Sequence, residues 1–280
     1  MVRHWLGIMA ETSVADTAEA RSANKVELGF PVYAVEYAAN TGTIFVAGGG
    51  GPAKSGVRNS IVSLQAVNFM SSSLSSIREG EIGLSLARSM KSDFSDIDSY
   101  QKVVRFSRDG HEMLTSGNDD TVRLWEFPWL KPVTDFKVPT KATSPKESRI
   151  EDADYDPNGE YILVLTPAGI HIRNRKDGSF CASLAPAPNH TFRCARFLQA
   201  SRSKTGWLVT VENHRERGCP VLTKWRMGSW TRSQSVKLAT RLRVTALSVS
   251  ENGRFIAFGA ADGTVGVYDS NLFVPFVKHN

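Results

Sequence analysis

Twelve residues, Gly48 to Asn59 (GGGGPAKSGVRN), hold the densest chemical potential of this 280-residue chain. Five of the twelve are glycine, and the segment stands between two short β-branched stretches, Ile44–Ala47 and Ile61–Val67. A hairpin turns in about two to five residues, so most of this loop is not needed to reverse the chain. Excess loop on a rigid sheet is a common seat of function. Two phosphate-binding readings present themselves. From Gly48 to Ser55 the spacing nearly spells G-x-x-x-x-G-K-[ST], with Ala53 in place of the second glycine. Gly48, Gly50 and Ala53 also match a dinucleotide fingerprint. Both need a helix directly after the loop, whose N-terminus faces the anion. Here Gly56 and Asn59 interrupt any helix start and alternating strand residues follow, so both readings fail.

Other reactive side chains are spaced for structure. Asp109, Asp120, Asp156 and Asp262 all fall in Asp/Gly or Asn/Gly turn phrases, where a short carboxylate closes the turn. His111 follows such a turn, His171 alternates on a strand, and His190 and His214 are expected in loops; no two histidines have metal-ligand spacing. Cys181, Cys194 and Cys219 form no C-x-x-C pair, and Cys194 lies in an apolar run as a small core residue. This cysteine usage fits a reducing compartment without structural zinc.

A net charge of +6 is made of 34 basic and 28 acidic residues, interspersed, with no basic run long enough to track a phosphate backbone. Nucleic acid is therefore not expected as a partner. No apolar run approaches the roughly 18–20 residues of a membrane helix, and the N-terminus has no secretory pattern.

The elements that would carry the loop follow from a repeated phrase. Phe106-Ser107-Arg108-Asp109-Gly110, Met113 to Gly117 and Asp120 to Trp125 recur as Val249 to Gly253, Phe255 to Gly259 and Asp262 to Tyr268. In both copies the first glycine precedes the closing aromatic by fifteen residues. Tyr155 to Arg173 gives a third copy, and Phe192 to Trp225 a fourth. Each reads strand, turn, strand, turn, strand, with Trp125 and Trp225 as core aromatics. A period of ~40–45 residues with short strands marks WD-repeat propeller blades. The expected fold is thus all-β, with residues 1–28 a poorly ordered N-terminal segment and 29–280 a β-propeller. Five blades are recognisable, at residues 30–68, 101–127, 150–183, 191–227 and 243–270. The stretch from Ser71 to Asp98 holds no strand–turn–strand phrase. Gly48–Asn59 becomes the expanded inter-strand turn of the first blade, projecting from one rim.

Three phrases carry a family resemblance: GFPVYAVEY (Gly29 to Tyr37), VAGGGGPAKSGVRN (Val46 to Asn59) and SDFSDIDSYQKVVRFSRDG (Ser92 to Gly110). With TVRLWEFP and ALSVSENGRFIAFGAADGTVGVY, the chain resembles the PREB/Sec-twelve-type guanine nucleotide exchange factors. That resemblance implies a seven-bladed propeller on a C-terminal membrane anchor at the cytosolic face of the endoplasmic reticulum. It implies a Sar-type small GTPase as partner, the start of COPII coat assembly and ER-to-Golgi transport as the role, and no covalent chemistry. By the same resemblance the first-blade loop is the catalytic element and binds a potassium ion. Gly56, Val57 and Asn59 match its tip and Gly48, Gly49, Gly50 and Gly51 its glycine run. Val57 replaces a more usual isoleucine, one methylene smaller. The residues alone support only an oxygen-ligand cation site, since a Gly-rich turn can aim several carbonyls inward. Lys54 and Arg58 are the expected contacts to acidic partner surface, or solvated charges. Against the family pattern, a second blade is expected to be missing between Asn68 and Ser92, with a further blade and the anchor missing after Asn280. The alternative is a non-catalytic scaffold or traffic facilitator of the same family.

Overall fold

The computed structural model describes residues 28, 30–38, 43–48, 60–68, 82–90, 101–117, 119–138, 149–198, 206–216, 219–240 and 242–276. They form twenty strands in five four-stranded antiparallel sheets. The first sheet holds β1 (Val32–Ala38), β2 (Thr43–Gly48), β3 (Ser60–Asn68) and β4 (Ile82–Met90). The second holds β5 (Gln101–Phe106), β6 (Glu112–Gly117), β7 (Thr121–Glu126) and β8 (Lys131–Lys137). The third holds β9 (Asp152–Tyr155), β10 (Tyr161–Thr166), β11 (Gly169–Asn174) and β12 (Phe180–Leu184). The fourth holds β13 (His190–Leu198), β14 (Trp207–His214), β15 (Val221–Arg226) and β16 (Thr231–Lys237). The fifth holds β17 (Val244–Val249), β18 (Phe255–Ala260), β19 (Val265–Asp269) and β20 (Val274–Pro275).

Within each sheet the strands pair in chain order. Between sheets the first strands are neighbours: β1 with β5, β5 with β9, β9 with β13, and β13 with β17. Meandering sheets set around a line of inner strands are blades, and the architecture is a five-bladed β-propeller arrangement. No helix occurs among the described residues.

The strand period of two explains how the blades stack. On β10, Ile162 and Val164 face the second blade while Leu163 and Leu165 face the fourth, and all four are fully buried. On β14, Leu208 faces the third blade and Val209 and Val211 the fifth. Each central blade is thus apolar on both faces. The turns obey their sequence chemistry as well. Gly110, Gly159, Gly253 and Gly263 take positive φ of 70°, 73°, 68° and 82°. Asp156 accepts the backbone N–H groups of Asn158, Glu160 and Tyr161.

Two expectations change. The stretch from Ser71 to Asp98 supplies β4, the outermost strand of the first blade. His190 and His214 lie in strands, not loops: they open β13 and close β14 as register partners, with rings 5.0 Å apart.

Candidate exchange-loop site

Gly48 is the last residue of β2 and Ser60 the first of β3, and the two are register partners. The intervening Gly49, Gly50, Gly51, Lys54, Gly56, Val57, Arg58 and Asn59 lie outside the described residues. Their mount is well defined. Toward the second blade, Phe45, Ala47 and Ile61 are buried against Val104, Met113, Trp125 and Phe127. Phe45, Phe106 and Phe127 form a ring triad, each pair edge-to-face with centroids 5.0–5.4 Å apart. Such pairs add to the area they bury. On the opposite face Val46 and Val62 are buried beneath Leu28 and Phe30. Leu28, assigned on sequence to the N-terminal segment, therefore packs on the blade.

Gly48 itself is a close-approach glycine. A Cβ there would stand 1.9 Å from the Pro31 carbonyl oxygen and 2.8 Å from the Phe30 ring. The lead-in through Phe30 and Pro31 lies against the first residue of the glycine run, and only a missing side chain permits it. The resemblance assigns Gly48 to the ion-binding glycine run, and its neighbours at this close approach, Phe30 and Pro31, belong to the GFPVYAVEY phrase.

The next blade gives the analogous turn in its short form. There β6 ends at Gly117 and β7 begins at Thr121. Asp119 binds Arg123 and accepts the Thr121 N–H, and Asp120 sits at φ 56°. Burial and the adjacent Asp119 raise the Asp120 carboxyl above the usual range. Asp109 is a turn residue too. Burial pushes its pKa up, but bonds from Ser107 and the His111 N–H, with Arg175 nearby, outweigh this and lower it. Asp262 accepts the Thr264 N–H.

Several buried polar groups elsewhere are tied into the scaffold. Trp125 and Trp225 are buried, and each donates its Nε1–H to a threonine one strand inward, Thr115 and Thr210, at 2.9 Å. The fully buried Glu212 accepts from Thr223, Arg232 and the Ala187 N–H, and Arg232 covers the Trp225 ring at 4.4 Å. Cys194 is buried and its thiol is pushed up to about 11, by burial first and then by Asp152. Among the described residues no group of three His, Cys, Asp or Glu is arranged for a metal ion. No helix among them is long and apolar enough to cross a membrane.

Comparison with known proteins agrees with this architecture. Residues 98–126 and 235–269 match the WD domain, G-beta repeat. The chain is 25% identical over 202 residues to the guanine nucleotide-exchange factor SEC12 of Rattus norvegicus, covering 67% of this chain and 46% of that protein. Identity to SEC12 of Mus musculus is 27% over 203 residues, with the same two coverages. SEC12-like protein 1 of Arabidopsis thaliana is 27% identical over 169 residues, 60% of this chain and 39% of that protein. The chain thus spans less than half the length of these relatives. The resemblance of the sequence to the Sec-twelve-type group holds, and the rat and mouse relatives are named guanine nucleotide-exchange factors.

Proposed function

We propose that this chain, a WD-repeat propeller similar in sequence to the SEC12 exchange factors, promotes nucleotide release from a small GTPase of the Sar type. Residues 49–59 would be the element that meets the nucleotide site. The observation that supports this most is the mount: an eleven-residue insertion between register partners Gly48 and Ser60, on a hairpin packed on both faces.

An exchange factor breaks no covalent bond. It binds the nucleotide-free GTPase more tightly than the loaded form, and linkage requires it to weaken nucleotide binding by the same factor. The loaded state is held by ordered switch segments and Mg²⁺, and a wedge that fits only the empty state shifts the population toward release. A wedge needs stiffness, and ordering glycines costs ~1–2 kcal/mol each. A hard cation held by the carbonyls of Gly48 to Gly51, with Asn59 bracing the loop, offsets that cost. Potassium is the ion we assign. Gly56 and Val57 would form the tip, and Lys54 and Arg58 would meet acidic partner surface. On this reading the chain acts at the cytosolic face of the endoplasmic reticulum, in the initiation of COPII coats and ER-to-Golgi transport.

The test is release of a fluorescent GDP analogue from a Sar-type GTPase with and without the chain. Deleting Ser55 to Arg58 is expected to abolish the acceleration while leaving thermal unfolding unchanged. Undiminished acceleration by the deletion variant refutes the assignment. Binding of the GTPase by the intact chain without acceleration would instead identify a non-catalytic relative.

A further inference from the structure

A specific, stable protein–protein interface takes ~20–30 residues from each side. The insertion at residues 49–59 supplies eleven, so a GTPase engaged by it needs further contacts on the same rim. Equivalent turns of a propeller share one rim. The rim of the β2–β3 loop therefore also carries the β14–β15 turn and the links that enter the fourth and fifth blades, from Leu184 to His190 and from Lys237 to Val244.

These three segments are bonded into one platform. The fully buried Glu212 accepts the Ala187 N–H at 2.6 Å, and Arg232 donates to the Ala185 carbonyl at 3.0 Å. The Asn189 carbonyl accepts the Arg215 N–H at 2.8 Å, and the Arg243 guanidinium donates to the Arg215 carbonyl. The Asn213 amide donates to the Val244 carbonyl at 2.9 Å and accepts the Val244 N–H at 3.0 Å. Thr240 Oγ1 accepts the Leu242 N–H at 3.3 Å and donates to Asp262 at 2.9 Å. Loops already tied in this way lose little further freedom when a partner arrives.

The platform displays apolar and basic groups. Leu242 is 48% exposed on its bonded backbone, and it is the large apolar side chain left exposed among the described residues of these loops. Arg243 follows it, Arg215 is bonded to Arg243, and Lys237 opens the same link; all three are exposed. The exposed acids here are Glu216 and Asp262, and Asp262 is engaged by Thr240 and by the Thr264 N–H. A single exposed leucine needs no explanation. One held rigid between arginines, on the rim of the exchange loop, has the form of an interface anchor with a polar surround.

We infer that this platform is a second contact for the GTPase, meeting an acidic surface with an apolar hollow that receives Leu242. The partner's identity rests on the exchange reading above. The two contacts divide the work. A contact that holds the loaded and the empty GTPase equally shifts nothing between them. The platform therefore sets the concentration at which acceleration saturates, and residues 49–59 set its plateau.

The test is release of the GDP analogue over a range of chain concentrations, beside surface plasmon resonance of the nucleotide-free GTPase on the immobilised chain. Leu242→Asp is expected to raise the half-saturating concentration and the Kd roughly tenfold, with the plateau unchanged. Arg243→Glu is expected to weaken binding as well and to flatten its salt dependence. Lys131→Glu, the same charge change at the start of β8 on the opposite rim, is expected to leave Kd within about twofold. Near-ultraviolet circular dichroism checks that the variants keep the fold. Unchanged affinity in both platform variants overturns the inference, as does an equal loss in Lys131→Glu or a plateau lowered by Leu242→Asp at unchanged affinity. Platform variants that bind the GTPase fully but no longer sediment with phosphatidylserine vesicles would make this a lipid contact and overturn it too. A parent that binds without accelerating refutes the exchange assignment alone, and the platform then stands or falls by the Kd comparison. A parent that does not bind overturns both.

Discussion

Arg105 of the second blade donates to Asp152 of the third at 3.2 Å, and the carboxylate it meets is only 7% exposed. Asp152 also receives Arg196 of the fourth blade, and Arg105 reaches back to Glu36 of the first at 3.6 Å. Beside this line, Glu151 takes Lys102 from the second blade and Arg193 from the fourth. The inner strands of four blades are therefore tied by alternating charges. Glu36, Arg105, Asp152 and Arg196 are each largely removed from water, so their retention depends on their partners.

Asp152 is the node of that line, and its loss leaves two guanidinium groups facing each other. Asp152→Asn is expected to lower unfolding free energy by about 3 kcal/mol, the scale of breaking a buried ion pair from one side. Asp135→Asn on exposed β8 is expected to change it by less than about 0.5 kcal/mol. Urea unfolding of the two variants measures the contrast. Equal small effects would mean that the belt is solvated and contributes little.

His171 gives the chain a pH dependence of definite sign. It is half-buried on β11, and burial, then the neighbouring Arg173, lowers its pKa below the ordinary 6.5. Above that value the imidazole is neutral in both folded and unfolded chains and stability is unaffected by its titration. As pH falls below about 6.5, the unfolded chain takes up the proton first, so folding stability declines until the folded form also protonates. The carboxyls that burial raises, Asp120 and Asp154, are common to parent and variant, so the difference between the two isolates His171. His171→Gln is expected to flatten the melting-temperature slope below about pH 6.5 relative to the parent. Parallel slopes would show that the folded chain protonates His171 as readily as the unfolded one.

What the residues disclose in advance follows the range over which they act. Asp-Gly and Asn-Gly turns set backbone geometry within four residues, and their glycines stand at the expected positive φ. Trp125 and Trp225 end strands of clear alternation and are buried as read. The outer strands β8 and β16 (KPVTDFK and TRSQSVK) are exposed along nearly their whole length and show no apolar alternation. β4 lies in a stretch without a strand–turn–strand phrase, so the repeat does not announce it either. The charge belt joins residues 42 to 69 apart, and no local pattern announces it. At the candidate site the loop stands out by composition, and the Phe30–Pro31 lead-in against Gly48 emerges only from the packing.

Gly48 tests that packing. A Cβ added there would run into a backbone oxygen, which cannot rotate away as a side chain would. Gly48→Ala is expected to cost about 1–3 kcal/mol through overpacking, and to reduce accelerated nucleotide release by displacing the base of the loop. Thermal unfolding and the release assay check the two halves. If stability falls and acceleration is retained in full, the position of the loop base does not govern exchange.

Potassium dependence examines the stiffening ascribed to Gly48–Gly51 and Asn59. The loop, if held by an ion, pays its ordering cost before the GTPase arrives; without the ion it pays on contact. Ordering about one residue costs roughly 1–2 kcal/mol, so replacing potassium chloride with N-methylglucamine chloride at equal ionic strength is expected to cut acceleration roughly tenfold. Acceleration is taken as the ratio of release rates with and without the chain, which cancels any effect of the ion on the GTPase alone. Asn59→Ala is expected to reproduce the loss in potassium and to gain nothing further from its removal. A ratio independent of the cation, or an Asn59→Ala variant with full acceleration, would show that the loop is rigid on its β2–β3 mount without any ion.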